Sequence, residues 1–309
     1  MVATGETPKR KLRILALHSF RTSAKIFREQ ASGKRRRRGG RGGGGEGGGE
    51  QLGRSGFLED TEDLCEYTFL QAPHPLSGPL PFDVEGRFEG PYFEWWSLGA
   101  DTDGRFYAVG AEESLDLIAK TMREQGPFDG LVGFSQGAAA AAIVAGCIGL
   151  GDPAEEGGDG GKASGGSAPP PPSSSSTASQ IDHVPTPPLL PRAETEGFGP
   201  MWRWRGVAKP RFVLLFAGVR MTRQYAYAYS GLRNLPSLHV LGDRDPVRRQ
   251  TLELIASFDD PLVVHHPRGH SIPRLPPPDL QVVRAFLERY GRREKPDWGK
   301  DSGNVTAKL

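Results

Sequence analysis

Cysteine is nearly absent: Cys65 and Cys147 are the only two in 309 residues. Two thiols make no disulfide framework, and no Cys/His spacing forms a metal-ligand set, so the chain reads as metal-free and suited to a reducing compartment. Long apolar runs are missing as well. None is long enough to span a bilayer, and the opening MVATGETPKRKLR has no apolar core of a secretory signal. An organellar transit peptide is not expected either, because the first predicted strand begins almost at once. Charge of one sign is lacking too: 39 Lys and Arg against 37 Asp and Glu leave +2, which argues against a polyanion binder over the whole chain. These absences predict a soluble intracellular protein, cytoplasmic and without membrane contact.

Glycine (42) and proline (27) are abundant, and they are clustered. Lys34 to Gly49 reads KRRRRGGRGGGGEGGG, and Gly151 to Pro191 is rich in Gly, Ser and Pro. Neither stretch has the apolar surface to offset its ordering entropy. The expected organisation is a flexible start over 1–11, one domain over 12–293 and a flexible tail over 294–309. Low-complexity insertions interrupt the domain at about 32–54 and 151–208. The Arg35–Arg41 stretch with its glycines supports a second reading, RNA binding or nuclear targeting. No aromatic is interleaved there for base stacking, so a solvated expansion is the preferred reading and nucleic acid is not the expected partner.

Between the insertions, apolar runs alternate with helical patterns. Strands are predicted at Leu12–Leu17, Glu66–Leu70, 130–133, Phe212–Ala217, Leu238–Leu241 and Leu262–His265. Helices are predicted from Ser23 through Gln30, over Leu58–Leu64, over Glu112–Gln125 (stopped by Gly126-Pro127), from the end of the 130–133 strand to about Gly149, over Val247–Phe258 and over Leu280–Tyr290. The proline-rich stretch from Pro73 to Pro81, with Phe93, Trp95 and Trp96 after it, reads as loop. The alternation predicts an α/β domain with a mostly parallel sheet, functional loops lying at the C-terminal strand ends.

Gly133-Phe134-Ser135-Gln136-Gly137 is the one G-x-S-x-G in the chain. Its apolar lead-in and alanine-rich sequel give strand, sharp turn and helix, the context of a nucleophile elbow. A serine hydroxyl needs a base to take its proton, and the base needs a carboxylate to hold it. Downstream of Ser135, the post-strand acids are Asp243 and Asp245, with Asp245 preferred; capping the next helix is its competing role. Of seven histidines, His270 lies on the loop after the last strand and suits the base. The oxyanion hole needs two backbone N–H groups. Gln136 is expected to supply one, at a helix start, and Phe20 or Ser19 the other, with His18 bracing that loop. The region 73–96 and the Tyr225–Tyr229 stretch are read either as pocket lining for an apolar acyl or aryl group or as core packing.

Several separated segments carry a resemblance: RILALHSFRTSAKIFREQ (Arg13–Gln30), FLQAPHP (Phe69–Pro75), GPYFEWW (Gly90–Trp96), GPFDGLVGFSQGAAAA (Gly126–Ala141), PSLHVLGDRDPV (Pro236–Val247) and HHPRGHSIPRL (His265–Leu275). Together they resemble the FSH-type serine hydrolases, with the Phe-Glu-Trp-Trp stretch nearest the plant branch. The resemblance implies an α/β-hydrolase fold and no metal or cofactor. It places the triad at Ser135, Asp245 and His270 and implies a small-molecule ester or thioester substrate. One position departs from it. Members usually have Leu-His-Gly after the first strand, and here Ser19 replaces the glycine. If that turn required a positive φ, serine would be strained there and could misaim the oxyanion donor.

Overall fold

The structure, a computed structural model, describes residues 10–33, 55–81, 84–100, 102, 106–150, 201–221 and 224–291. In chain order the elements are β1 (Leu12–Leu17), α1 (Ala24–Ala31), α2 (Phe57–Thr61), β2 (Cys65–Leu70), β3 (His74–Pro75), β4 (Phe93–Glu94), β5 (Ser97–Ala100), β6 (Phe106–Val109), α3 (Ala111–Gln125), β7 (Gly130–Phe134) and α4 (Gln136–Gly149). After these come β8 (Phe212–Phe216), β9 (Ser237–Gly242), α5 (Arg248–Ile255), β10 (Leu262–His266) and α6 (Pro277–Gly291), with 3-10 turns at Met201–Trp204 and Ala226–Leu232.

Six strands form the central sheet in the order β10-β9-β8-β7-β1-β2, and every neighbouring pair is parallel. Strand order reverses at β1, which has β2 on one side and β7 on the other. Such a switch point opens a crevice above the strand ends. The register makes those ends level: Leu17 pairs with Gly133 and Phe134 with Phe216. His18 and Ser135 are therefore delivered to the same edge.

Apolar faces cover both sides. One core joins Leu15, Leu17 and Leu131 to Leu115, Ile118 and the alanines of α4. The other joins Ile14, Val132 and Phe216 to Phe27, Phe57 and Phe286. Strands buried on both faces read as unbroken apolar runs, which made β1, β7 and β8 legible; the partly buried edge strand β2 was legible from its alternation. At α1 the Ser23 hydroxyl accepts from the Ile26 N–H at 3.2 Å, an N-cap at the predicted start.

Three readings are corrected. The helix expected over Leu58–Leu64 ends at Thr61. The loop expected from Pro73 onward contains β3 paired with β4, and an antiparallel hairpin of β5 and β6 follows it; strands of two to four residues are too short to show a period. Residues 201–208, assigned by composition to the second insertion, carry a 3-10 turn with Trp204 and Val207 buried. The Arg/Gly stretch and residues 151–200 lie outside the described residues. Among the described residues no helix is long and apolar enough to cross a membrane.

Candidate active site

Ser135 sits between β7 and α4 with φ 54° and ψ −113°, a conformation that a residue with a Cβ adopts only when its surroundings force it. The surroundings are tight. A Cβ on Gly133 would lie 2.5 Å from the Ala138 nitrogen, and one on Gly137 would lie 2.1 Å from the Leu17 carbonyl oxygen. Only glycine at both positions lets α4 start this close to β7 and β1. Ser135 is held by its own N–H donating to Phe216 O at 2.9 Å, and its carbonyl accepts from the Ala139 N–H at 3.0 Å.

The loops after β9 and β10 are laced together. Asp243 N–H donates to His266 O at 2.8 Å and Arg244 N–H to Arg268 O at 3.1 Å. This zipper aligns Asp245 with His270, whose Nδ1 lies 2.8 Å from Asp245 Oδ2. An ionised carboxylate only accepts, so Nδ1 carries the proton and Nε2 is left with its lone pair. The Asp245 side chain is fully buried. Its other oxygen accepts from the Val247 N–H at 2.9 Å, closing the turn ahead of α5; the expected capping role is corrected, since the residue preceding α5 is Val247 and, among the described residues, no side chain caps the helix. Asp243, the other acid considered, instead meets His265 at 3.2 Å on the exposed side.

The His270 ring lies against Phe134 at 5.0 Å between centroids, one residue from Ser135. The structure thus pairs Asp245 with His270 and sets them beside the elbow. Among the described residues the Ser135 hydroxyl makes no hydrogen bond, and such contacts are often long in unliganded enzymes.

The loop after β1 faces the start of α4. His18 is fully buried, and its Nε2 accepts from the Ala72 N–H at 3.1 Å. Nδ1–H must then donate, and it reaches Ser19 O at 2.8 Å, where the Thr22 hydroxyl also donates at 2.7 Å. Burial lowers the His18 pKa to about 4 although the bond to Ser19 opposes the shift, so the ring is neutral. Among the described residues the Ser19 and Phe20 N–H groups have no acceptor. Gln136, first residue of α4, precedes any intrahelical acceptor for its own N–H. The strain anticipated at Ser19 is absent: the positive φ of this loop falls on Arg21, at 53°.

Two features escaped sequence reasoning. The Gln136 side chain accepts from Trp95 N–H at 2.9 Å and donates to Trp96 O at 2.8 Å. Trp95 Nε1 donates to His18 O at 2.8 Å. The Glu-Trp-Trp run is therefore a strap over the elbow; aromatic density and the GPYFEWW resemblance marked the segment in sequence, but neither pointed to these contacts. Of the two readings of these aromatics, core packing is the one seen at Trp95, Trp96, Tyr225 and Tyr229, all buried in the core. A groove of about 470 Å³ lined in part by Asp60, Arg274 and Arg284 shares no residue with this site.

A model of the family described as "Serine hydrolase (FSH1)" matches residues 7–278. The chain belongs to this serine hydrolase family. Esterase OVCA2 of Homo sapiens is 28% identical over 300 residues, 91% of this chain and 98% of its own. Esterase OVCA2 of Bos taurus is 30% identical over 292 residues, 90% and 96% of the two chains. Among solved structures, Zea mays acyl-protein thioesterase 2 aligns with a TM-score of 0.46 at 16% identity, over 93% of this chain and 97% of its own. The central parallel sheet with its covering helices is the α/β architecture expected from the alternation of strands and helices, and the elbow, acid and histidine occupy post-strand loops of this serine hydrolase.

Proposed function

We propose that the chain is a serine esterase that cleaves carboxylic esters or thioesters of small apolar acyl groups through an acyl-enzyme on Ser135. The observation that carries this is the Asp245–His270 pair at 2.8 Å beside a serine held at φ 54°. In this reading His270 Nε2 takes the Ser135 proton as the hydroxyl oxygen attacks the acyl carbon. Asp245 keeps Nδ1 protonated and stabilises the imidazolium. The Gln136 N–H, with that of Ser19 or Phe20, receives the negative charge on the carbonyl oxygen. As the tetrahedral adduct collapses, the bond to the leaving oxygen or sulfur breaks and His270 hands its proton to that group. Water, deprotonated by the same nitrogen, then releases the acid and regenerates Ser135.

Named relatives support the ester class: the human and bovine proteins are called esterases. The test is labelling by a fluorophosphonate probe together with hydrolysis of a short p-nitrophenyl ester. Wild type should do both, and Ser135→Ala, folded by circular dichroism, should do neither. Persisting label on the variant would move the nucleophile elsewhere.

A further inference from the structure

Glu94 is a carboxylate with no exposed surface, and nothing in the proposed chemistry uses it. Three donors converge on it. Arg21 Nε reaches Oε2 at 3.0 Å, the Ser77 hydroxyl reaches Oε1 at 2.6 Å, and the Ser97 hydroxyl also donates to Oε1. Burial pushes its pKa up, but the bonds from Ser77, Ser97 and Arg21 together outweigh burial and hold it below the usual value. The group is ionised at neutral pH.

Its partner lies in the loop that faces the elbow. Arg21 is one of four described non-glycine residues with positive φ. A strained residue persists only where its neighbours over-determine it. Arg21 is fixed at three points: Glu94, the Pro79 carbonyl at 2.5 Å and the Phe20 ring at 4.5 Å from the guanidinium carbon. Residues on either side of Glu94 bind the same loop and the helix opposite. Phe93 N–H donates to Thr22 O at 2.6 Å, the Trp95 indole donates to His18 O, and the Trp95 backbone donates to the Gln136 side chain. One short segment therefore grips both the 18–22 loop and the first residue of α4.

We infer that Glu94 is a positioning residue: through Arg21 and the strap it belongs to, it holds the Ser19/Phe20 amides and the Gln136 amide at a set separation for the oxyanion. This rests on the reading of Ser135 as nucleophile. Donors aimed at developing charge must be held within roughly 0.5 Å to be effective. Loosening them weakens transition-state binding and leaves substrate binding alone.

The experiment is steady-state hydrolysis of a p-nitrophenyl ester by Glu94→Gln, a near-isostere, with active sites counted by fluorophosphonate titration. The expected result is a kcat per titrated site lowered about 10- to 100-fold with KM within about threefold, since removing one oxyanion donor outright costs about 10²–10³. Affinity for a boronic acid that mimics the tetrahedral adduct should fall in parallel. Arg21→Lys keeps the charge but not the planar fork, and it should lower kcat in the same direction by less; it decides the matter should Glu94→Gln fail to fold. A kcat per titrated site within twofold of wild type in the folded variant overturns the positioning role alone. A wild-type chain that takes no label overturns the serine reading as well.

Discussion

Replacing Asp245 by asparagine separates two duties that the structure assigns to two oxygens. Oδ1 accepts from the Val247 N–H at 2.9 Å, and an amide oxygen can do the same. Oδ2 faces His270 Nδ1 at 2.8 Å, and an amide nitrogen there is a donor pointed at a donor. The imidazole must then shift its proton to Nε2, the atom needed as base. By analogy with the same change in serine proteases, kcat should fall about 10⁴-fold, or about 5.5 kcal/mol of barrier. Stability should change little, because the turn into α5 keeps its bond. Asp245→Ala removes both contacts, so it should lose activity and also about 1 kcal/mol of stability for the lost turn bond to Val247. The assays are ester hydrolysis at pH 8 and urea unfolding of both variants. An asparagine variant within tenfold of wild-type kcat would refute the assignment of Asp245 as partner of the base.

Two more outcomes follow from packing and burial. Gly137→Ala would put a methyl group 2.1 Å from Leu17 O and 2.4 Å from His18 O, so α4 must move off β1; a loss of about 1–3 kcal/mol is expected, with activity falling further than the folded fraction, checked by unfolding and titrated kcat. Burial lowers His18 to about 4 and His239 to about 3, and it lowers His266 too. Between pH 6.5 and these values the unfolded chain takes up protons that the folded chain refuses. Stability should therefore be full above about pH 6.5 and decline on acidification, by on the order of 2 kcal/mol for each of His18 and His239 by pH 5. Unfolding free energies that stay flat from pH 7 to pH 5 would contradict it.

Much of the fold was legible because the central strands are dominated by apolar residues. The hairpin of β5 and β6 and the short β3–β4 pair were not, since so few residues show no alternation and prolines nearby favour a loop reading. The YAYAY stretch shows the limit of composition: its tyrosines suited pocket lining or core packing equally, and the fold buries Tyr229, whose hydroxyl oxygen accepts from the Met221 N–H at 2.7 Å.

Local pattern by itself determined the elbow, its two flanking glycines and the order of serine, acid and histidine on post-strand loops. These are properties of a few adjacent residues, where sterics and period act over one turn or one strand. Only the tertiary structure decided that the positive φ of the loop after β1 falls on Arg21 and not Ser19, and that Glu94 and the two tryptophans strap that loop to the start of α4. Those contacts join residues 40 to 77 positions apart, and partners brought together by folding leave no periodic trace along the chain.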